Sequence, residues 1–314
     1  MVESIHRGDV VVIDHSGEII KSYGNPMKRT YWRSAAKPFQ VLPFVEEGGL
    51  EHFNIETHEL ALMCASHGGE EKHVQDVSRL LGKLGLDPSY LDCGKSRPMY
   101  EGAYRKLLAS GQPFTQLHNP CSGKHSGMLA LGKLRDIDLH NYIDRNHPIQ
   151  KQKVTTISEV ARIPKEEIEI AIDGCGVPVF GLPIYNMALA YSQLANPSER
   201  IHLKEIASAM THHPFHVAGT RRLDTIIMEE TKGRVVAKLG AEAVYCVGLI
   251  GEGKALALKI EDGAYRALDP LVPWLLETHG FIDHQDRMRI EARLNLEILN
   301  HRKEVIGDFR VVCE

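Results

Sequence analysis

Asp9-Val-Val-Val-Ile-Asp14 near the start of the chain and Lys254-Ala-Leu-Ala-Leu-Lys-Ile260 near its end decide the fold. Each is a short apolar run bounded by polar or turn-forming residues, the pattern of a strand. The first leads through His15-Ser-Gly17 into a second strand, Glu18 to Tyr23, which makes a hairpin. The last follows two further strand patterns, Arg234-Val-Val-Ala-Lys-Leu-Gly240 and Val244-Tyr-Cys-Val-Gly-Leu-Ile250. Between these ends, about 57–232, helical patterns dominate. Strands from both ends that pair in one antiparallel sheet, with a helix-rich part between them, predict an α+β fold. No repeat, low-complexity stretch or linker interrupts the chain, so residues 1–314 are expected to form one domain.

The helical patterns have readable ends. A helix is expected from about Ser34, with Phe39, Leu42 and Val45 inward and a break or kink at Pro43. Glu71 to Leu84 carries Val74, Val77, Leu80, Leu81 and Leu84 at helical spacing and stops at Gly85. His118 to Gly127 reads as a polar, turn-rich loop running into a buried helix from Met128. Further helices are expected over Pro148 to Ala161, Leu182 to Leu194, His202 to Thr211, Leu223 to Glu230 and Leu268 to Thr278. Glu167 to Asp173 alternates like a strand, and His212 to Gly219 reads as a loop. Residues 283–304 look polar and partly helical. Val305 to Val312 reads as an edge strand protected by Arg310 and Glu314.

Composition narrows the function classes. A formal net charge of -4 with dispersed signs argues against nucleic acid or an anionic membrane surface as the main partner. No apolar run approaches a membrane span. Met1 to Gly8 lacks a basic start followed by an apolar stretch, so no signal peptide is expected, and the cytoplasm is the default compartment. The 6 cysteines are dispersed along the chain, unlike a disulfide framework, and are expected to be reduced.

Several stretches carry chemistry. Arg33-Ser34-Ala35-Ala36-Lys37-Pro38 holds a Ser-x-x-Lys pair whose members share a face if helical. A serine needs a base to take its proton, and a lysine serves only as the free amine. The plainer account is a capping serine followed by a solvated lysine. Ser66-His67, after an apolar segment and before Gly68-Gly69, suits an active-site loop or a cap with a surface histidine. Lys238-Leu-Gly240 resembles the strand lysine of serine acyl-transfer enzymes; a solvated strand-end lysine is commoner. Cys121-Ser-Gly-Lys124-His125 and the glycine-flanked Cys175 could supply thiolate and nitrogen ligands to zinc. There, His125 is the routine nitrogen ligand and Lys124 an unusual one, since it must lose its proton. Asp173 could grip a substrate ammonium or cap a turn. His212, His213 and His216 sit in a loop with no accompanying carboxylate pattern, so a solvated loop is expected.

Taken in order, Gly24-Asn-Pro, Arg33-Ser-Ala-Ala-Lys37, Met63-Cys-Ala-Ser-His67, Leu91-x-Cys-Gly94, Cys121-Ser-Gly-Lys-His125, Asp173-Gly-Cys175, Val217-Ala-Gly219, Lys238-Leu-Gly-Ala241 and Lys259-Ile-Glu-Asp-Gly263 resemble the rhizobial-type L-asparaginases, the asparaginase II family. The resemblance implies a fold like the serine β-lactamases and glutaminases, and a homodimer. It implies two pairs, Ser34 with Lys37 and Ser66 with Lys238, as the catalytic groups. It implies zinc at Cys121, Lys124 and Cys175, with His125, Arg33, Asp173 and Asp224 beside the substrate. The expected reaction is hydrolysis of L-asparagine to aspartate and ammonia. A glutaminase or amidase acting on a related small amide is the alternative, and from another class a zinc-holding amino-acid sensor without turnover. Two departures, no histidine in Cys93-Gly-Lys-Ser-Arg-Pro98 and Gly176 rather than asparagine after Cys175, bear on side-chain specificity rather than on reaction type.

Overall fold

The strands of the two chain ends lie side by side in the computed structural model, which describes residues 1–196 and 200–313. In chain order the strands are β1 (Gly8–Ile13), β2 (Ile19–Tyr23), β3 (Arg29–Tyr31), β4 (Glu169–Ile172), β5 (Pro178–Pro183), β6 (Val235–Gly240), β7 (Val244–Leu249), β8 (Ala255–Ile260), β9 (Glu297–Leu299) and β10 (Val305–Asp308). A five-stranded sheet runs β2-β1-β8-β7-β6. Every pairing in it is antiparallel. Val10 to Ile13 stand opposite Leu258 to Ala255, which closes the sheet across the whole length of the chain. The fold is therefore α+β, as the terminal strand patterns predict.

β6, β7 and β8 are buried along their full length. Buried strands of this kind read as near-continuous apolar runs, and a charged residue among them stands out. Lys238 is such a residue, with 0% exposure in the middle of β6. The helix Ile184–Ala195 packs across β1, β7 and β8. A smaller sheet, β3-β5-β4, pairs Arg29–Tyr31 with two strands from the helix-rich part. Sequence reading misses β5, because the prolines at its two ends look like breakers; Pro183 in fact opens the next helix as its N-cap. It also misses β9, while β10 falls within the expected edge strand Val305 to Val312 and pairs with β9. Glu314, expected to guard that edge, lies outside the described residues.

The stretch from Ser34 departs from a regular helix. Arg33–Ala36 is a 3-10 turn, Lys37–Gln40 one turn of helix, and Leu42–Glu46 another, with Pro43 in the first turn of the latter. The turn is held from two sides. Trp32 packs on Phe39, and Phe39 on Tyr191, at 5.1 and 5.5 Å between ring centres. The Tyr191 hydroxyl donates to Ala35 O at 2.8 Å.

The largest correction concerns the polar stretch before Met128. It is not a loop: the helix begins at Ser122 and runs to Leu134, and all six residues from Ser122 to Gly127 are buried. Close approach of two helices explains it. A Cβ on Gly123 would sit 2.0 Å from Leu62 O, and one on Gly127 3.4 Å from Met63. The glycines that look like turn signals are contact points against the helix Thr57–Met63. The segment His212–Gly219 likewise contains a short helix, Pro214–Ala218. Its histidines are not simply solvated. His216 Nε2 lies 3.0 Å from Asp76 Oδ2 and His213 Nε2 lies 2.9 Å from Thr57 Oγ1.

This packing carries a pH dependence. Burial holds His73 below the ordinary histidine range and takes His216 down to about 4. A histidine with a lowered folded value is charged more readily in the unfolded chain. It therefore costs nothing above pH about 6.5, and stability is lost as pH falls from there toward about 4. The thermal midpoint is expected to fall steadily between pH 7 and pH 5, and His216→Gln should flatten that slope. Equal slopes in the two proteins would contradict this account.

Candidate active site

Lys37 is completely buried, and its amine meets three oxygens. Nζ lies 2.9 Å from Ser66 Oγ, in hydrogen-bond contact with Ala65 O, and 3.5 Å from Pro120 O. The geometry has a chemical consequence. An ammonium would donate to all three. A free amine spends its two N–H groups on the carbonyls and turns its lone pair to the Ser66 hydroxyl, which then donates. Ser66 is itself anchored, since its N–H donates to Val217 O at 2.8 Å from the short helix Pro214–Ala218. The neighbouring His67, at 0% exposure, bonds Ser122 Oγ at 2.8 Å and accepts from Gly69 N–H at 3.1 Å. Burial keeps it well below its ordinary range. His67 is thus a neutral structural link between two loops and not a surface group.

The expected pairing of lysines with serines changes here. No hydrogen bond joins Lys37 to Ser34 or Lys238 to Ser66. Ser34 sits half-buried in the 3-10 turn, and Lys37 N–H caps that turn on Ser34 O. The Lys37 side chain runs to the end of the helix Thr57–Met63, where the Ala65 and Pro120 carbonyls offer acceptors. Lys238 instead bonds Leu239 O at 2.9 Å and Asp224 Oδ2 at 3.4 Å. Burial lowers Lys238 to about 8; Asp224 opposes that and the nearby charge of Lys37 adds to it. Asp224, expected beside the substrate, is 1% exposed and also accepts from Leu239 N–H at 3.1 Å. Its carboxylate is committed to holding Lys238. β6 reaches this position because Gly240 has no side chain: a Cβ there would lie 2.8 Å from Trp32 O and 3.3 Å from Arg33 Cβ.

Arg33, next to Ser34, has a φ of 54°. A non-glycine residue held there costs of order 1–3 kcal/mol, and such strain clusters at functional sites. Its Nε lies 3.0 Å from Asp173 Oδ1. Asp173 Oδ2 is 3.7 Å from Lys124 Nζ. Burial alone would raise Asp173, but Lys124 and Arg33 outweigh it and hold the carboxyl below its usual range. Asp173 therefore already has two cationic partners, and a substrate ammonium would have to share it.

Cys121, Lys124 and Cys175 converge. Lys124 Nζ donates to Cys175 Sγ at 2.8 Å, and all three side chains are buried. Each sulfur acts first on the other, holding Cys121 toward the thiolate and Cys175 toward the thiol. Burial opposes charge on Lys124, but the sulfurs and Asp173 around it push it up. Two sulfurs and a nitrogen in a dry site form a donor set suited to zinc. Among the described residues no group of three His, Cys, Asp or Glu side chains could hold a metal, so a metal here depends on the lysine. His125 is not part of such a group. Its Nδ1 meets the Tyr142 hydroxyl at 2.6 Å, its Nε2 has no partner, and the ring is fully buried.

Sequence reading overlooks Lys153, 1% exposed in the helix Pro148–Val160, with an unpartnered amine that burial drives well below its usual range. The signal was present: it occupies the inward stripe with Ile149, Thr156, Ile157 and Val160. Tyr142 and Tyr245, which carry no motif, are missed as well.

Antiparallel strands under packed helices, with an amine held against a serine hydroxyl in their midst, define an α+β protein built around a buried serine–lysine contact. The chain belongs to the L-asparaginase II family, whose model matches residues 1–311. It is accordingly an asparaginase-type amidohydrolase with a small amino-acid substrate, and an enzyme rather than a sensor. Among the curated proteins none matches the chain. Among the described residues no helix is long and apolar enough to cross a membrane.

Proposed function

We propose that the enzyme hydrolyses the side-chain amide of L-asparagine to aspartate and ammonia through a serine–lysine acyl-enzyme. The observation that carries this reading is the Lys37 amine, 2.9 Å from Ser66 Oγ with two backbone carbonyls taking its N–H groups. Ser34 Oγ attacks the amide carbon, and its proton reaches Lys37 by way of Ser66 Oγ, the hydroxyl that the amine meets. Lys37 returns that proton through Ser66 Oγ to the departing nitrogen, the C–N bond breaks, and ammonia leaves. Water then attacks the Ser34 ester by the same relay in reverse. Lys238, held by Asp224 and Leu239 O, supplies positive charge to the site as the ammonium. Arg33 and Asp173 orient the amino acid's own charges. One observation favours a second reading, in which Ser66 is the nucleophile: it is the serine whose hydroxyl meets a lysine amine.

Cys121, Lys124 and Cys175 would hold a zinc ion, and His125 would stand next to them. Bound zinc supplies fixed positive charge beside the centre and ties the two cysteine loops together. The same reading includes one asparaginase domain over residues 1–314 and a cytoplasmic homodimer. Purified protein is expected to carry about one zinc per chain, as structural sites of this donor type do, and Cys175→Ala to carry none. Equal metal content in the two would remove the ion from the reading.

Ammonia release measured on asparagine and glutamine tests the substrate. Ser34→Ala and Ser66→Ala, each with mass-spectrometric mapping of the trapped acyl group, test the chemistry. An acyl group on Ser34 is expected, with turnover abolished in both variants. An acyl group on Ser66 selects the second reading. Full activity in both variants sinks the serine–lysine route.

A further inference from the structure

Behind Lys238 stands a carboxylate with one oxygen to spare. Asp224 gives Oδ2 to the Lys238 amine and to Leu239 N–H, while Oδ1 is buried without a donor. The Tyr245 hydroxyl is also buried and without a partner. Tyr245 stands on β7 directly opposite Leu239 in the ladder, the residue whose N–H the carboxylate already holds. The phenol is pushed up by burial first and then by the nearby charge of Asp224. A buried acceptor and a buried donor that both lack partners each carry an uncompensated desolvation cost.

We propose that Tyr245 is a positioning residue: its hydroxyl donates to Oδ1 of Asp224, and by sharing that carboxylate's charge it sets how firmly Lys238 keeps its proton. The inference rests on the reading of Lys238 as an ammonium that serves the proposed site. The charges around this amine come from every side. Asp224 and Arg222 approach from the helix Leu223–Glu230 and the residue before it, and Lys37 from its own turn of helix. Cys64 lies at the end of the helix Thr57–Met63, and Cys246 adjoins Tyr245 on β7. Tyr191 and Asp269 act on the phenol itself. Of these, Asp224 is the one group that favours the ammonium, and Tyr245 is the donor available to its free oxygen.

Tyr245→Phe keeps the ring and its packing and removes the hydroxyl alone. Two readouts apply to the full-length protein. One is the titration of the Lys238 side chain by NMR on 13C-labelled lysine, assigned by its loss in Lys238→Met. The other is the alkaline limb of kcat/KM against pH. In Tyr245→Phe the carboxylate, no longer shared, holds the ammonium more tightly. The titration is expected to move up by about half a unit or more, which is what one hydrogen bond of ordinary net strength is worth. The alkaline limb should follow it. Asp224→Asn should move both the other way. A Lys238 titration that is unchanged or lowered in Tyr245→Phe overturns the proposal. Activity surviving in both Ser34→Ala and Ser66→Ala would remove the serine–lysine reading while leaving the NMR result to stand or fall alone.

Discussion

Lys37→Met is expected to lower turnover of asparagine by about a thousandfold, the middle of the range for removing a positioned general base. Methionine has nearly the length and volume of the lysine stem, so the buried space stays filled. What disappears is the amine between Ser66 Oγ, Ala65 O and Pro120 O. The two carbonyls then lack a donor, at a cost of about 1–3 kcal/mol each if no water replaces it. Removing a completely buried polar group offsets part of that cost, so the variant should fold. Ser66 should remain in place, because its N–H is held by Val217 O. Loss of activity with an unchanged circular dichroism spectrum and a thermal midpoint within a few degrees is the expected result. Turnover within tenfold of the parent would mean that this amine is not the base.

Gly123→Ala should have the second large effect, this time on folding. The added methyl would lie 2.0 Å from Leu62 O and 2.8 Å from Leu62 C. These are backbone atoms inside a helix end, so no rotamer change relieves the contact. The two helices must separate, and a loss of about 3 kcal/mol is expected, the upper part of the range for overpacking. The helix that retreats carries Lys124, and Cys121 is its N-cap. Activity and thiol placement should therefore fail together with stability. Urea unfolding of the two proteins reads this directly: an unchanged midpoint would show that the close approach is not as tight as described. Gly85→Ala is the control. No atom lies within 4 Å of a Cβ there, but its φ of +68° is one that an L residue adopts reluctantly. Its cost should be about 1 kcal/mol.

Most strands and helices were legible because their signals are local. Val10 to Ile13 and Ala255 to Leu258 are apolar because both faces of those strands are covered, and the helix Glu71–Lys83 shows its inward stripe at the period of one turn. Even there, His73 and Asp76 are buried where only apolar residues were expected, because the short helix Pro214–Ala218 meets them: His73 Nε2 pairs with Phe215 O and His216 Nε2 with Asp76 Oδ2. Glycines were read less well. Gly123 and Gly127 look like turn formers in a sequence, and only a neighbouring helix makes them contact points.

The residue types of the site could be chosen from the chain alone: two serines, three lysines, two cysteines and Asp173 in short motifs, with Asp224 added by the family resemblance. Which of them touch was decided by the tertiary structure. Ser34 and Lys37 are three residues apart, yet the amine bonds Ser66, 29 residues away, because the end of another helix offers carbonyls that fill its remaining bonds. Lys238 was assigned to Ser66 and is held by Asp224, since the helix Leu223–Glu230 lies against β6. Periodicity reports which face of an element is dry. A hydrogen bond between side chains depends on a few tenths of an ångström between separate elements, and that distance is set by packing, which local sequence does not encode.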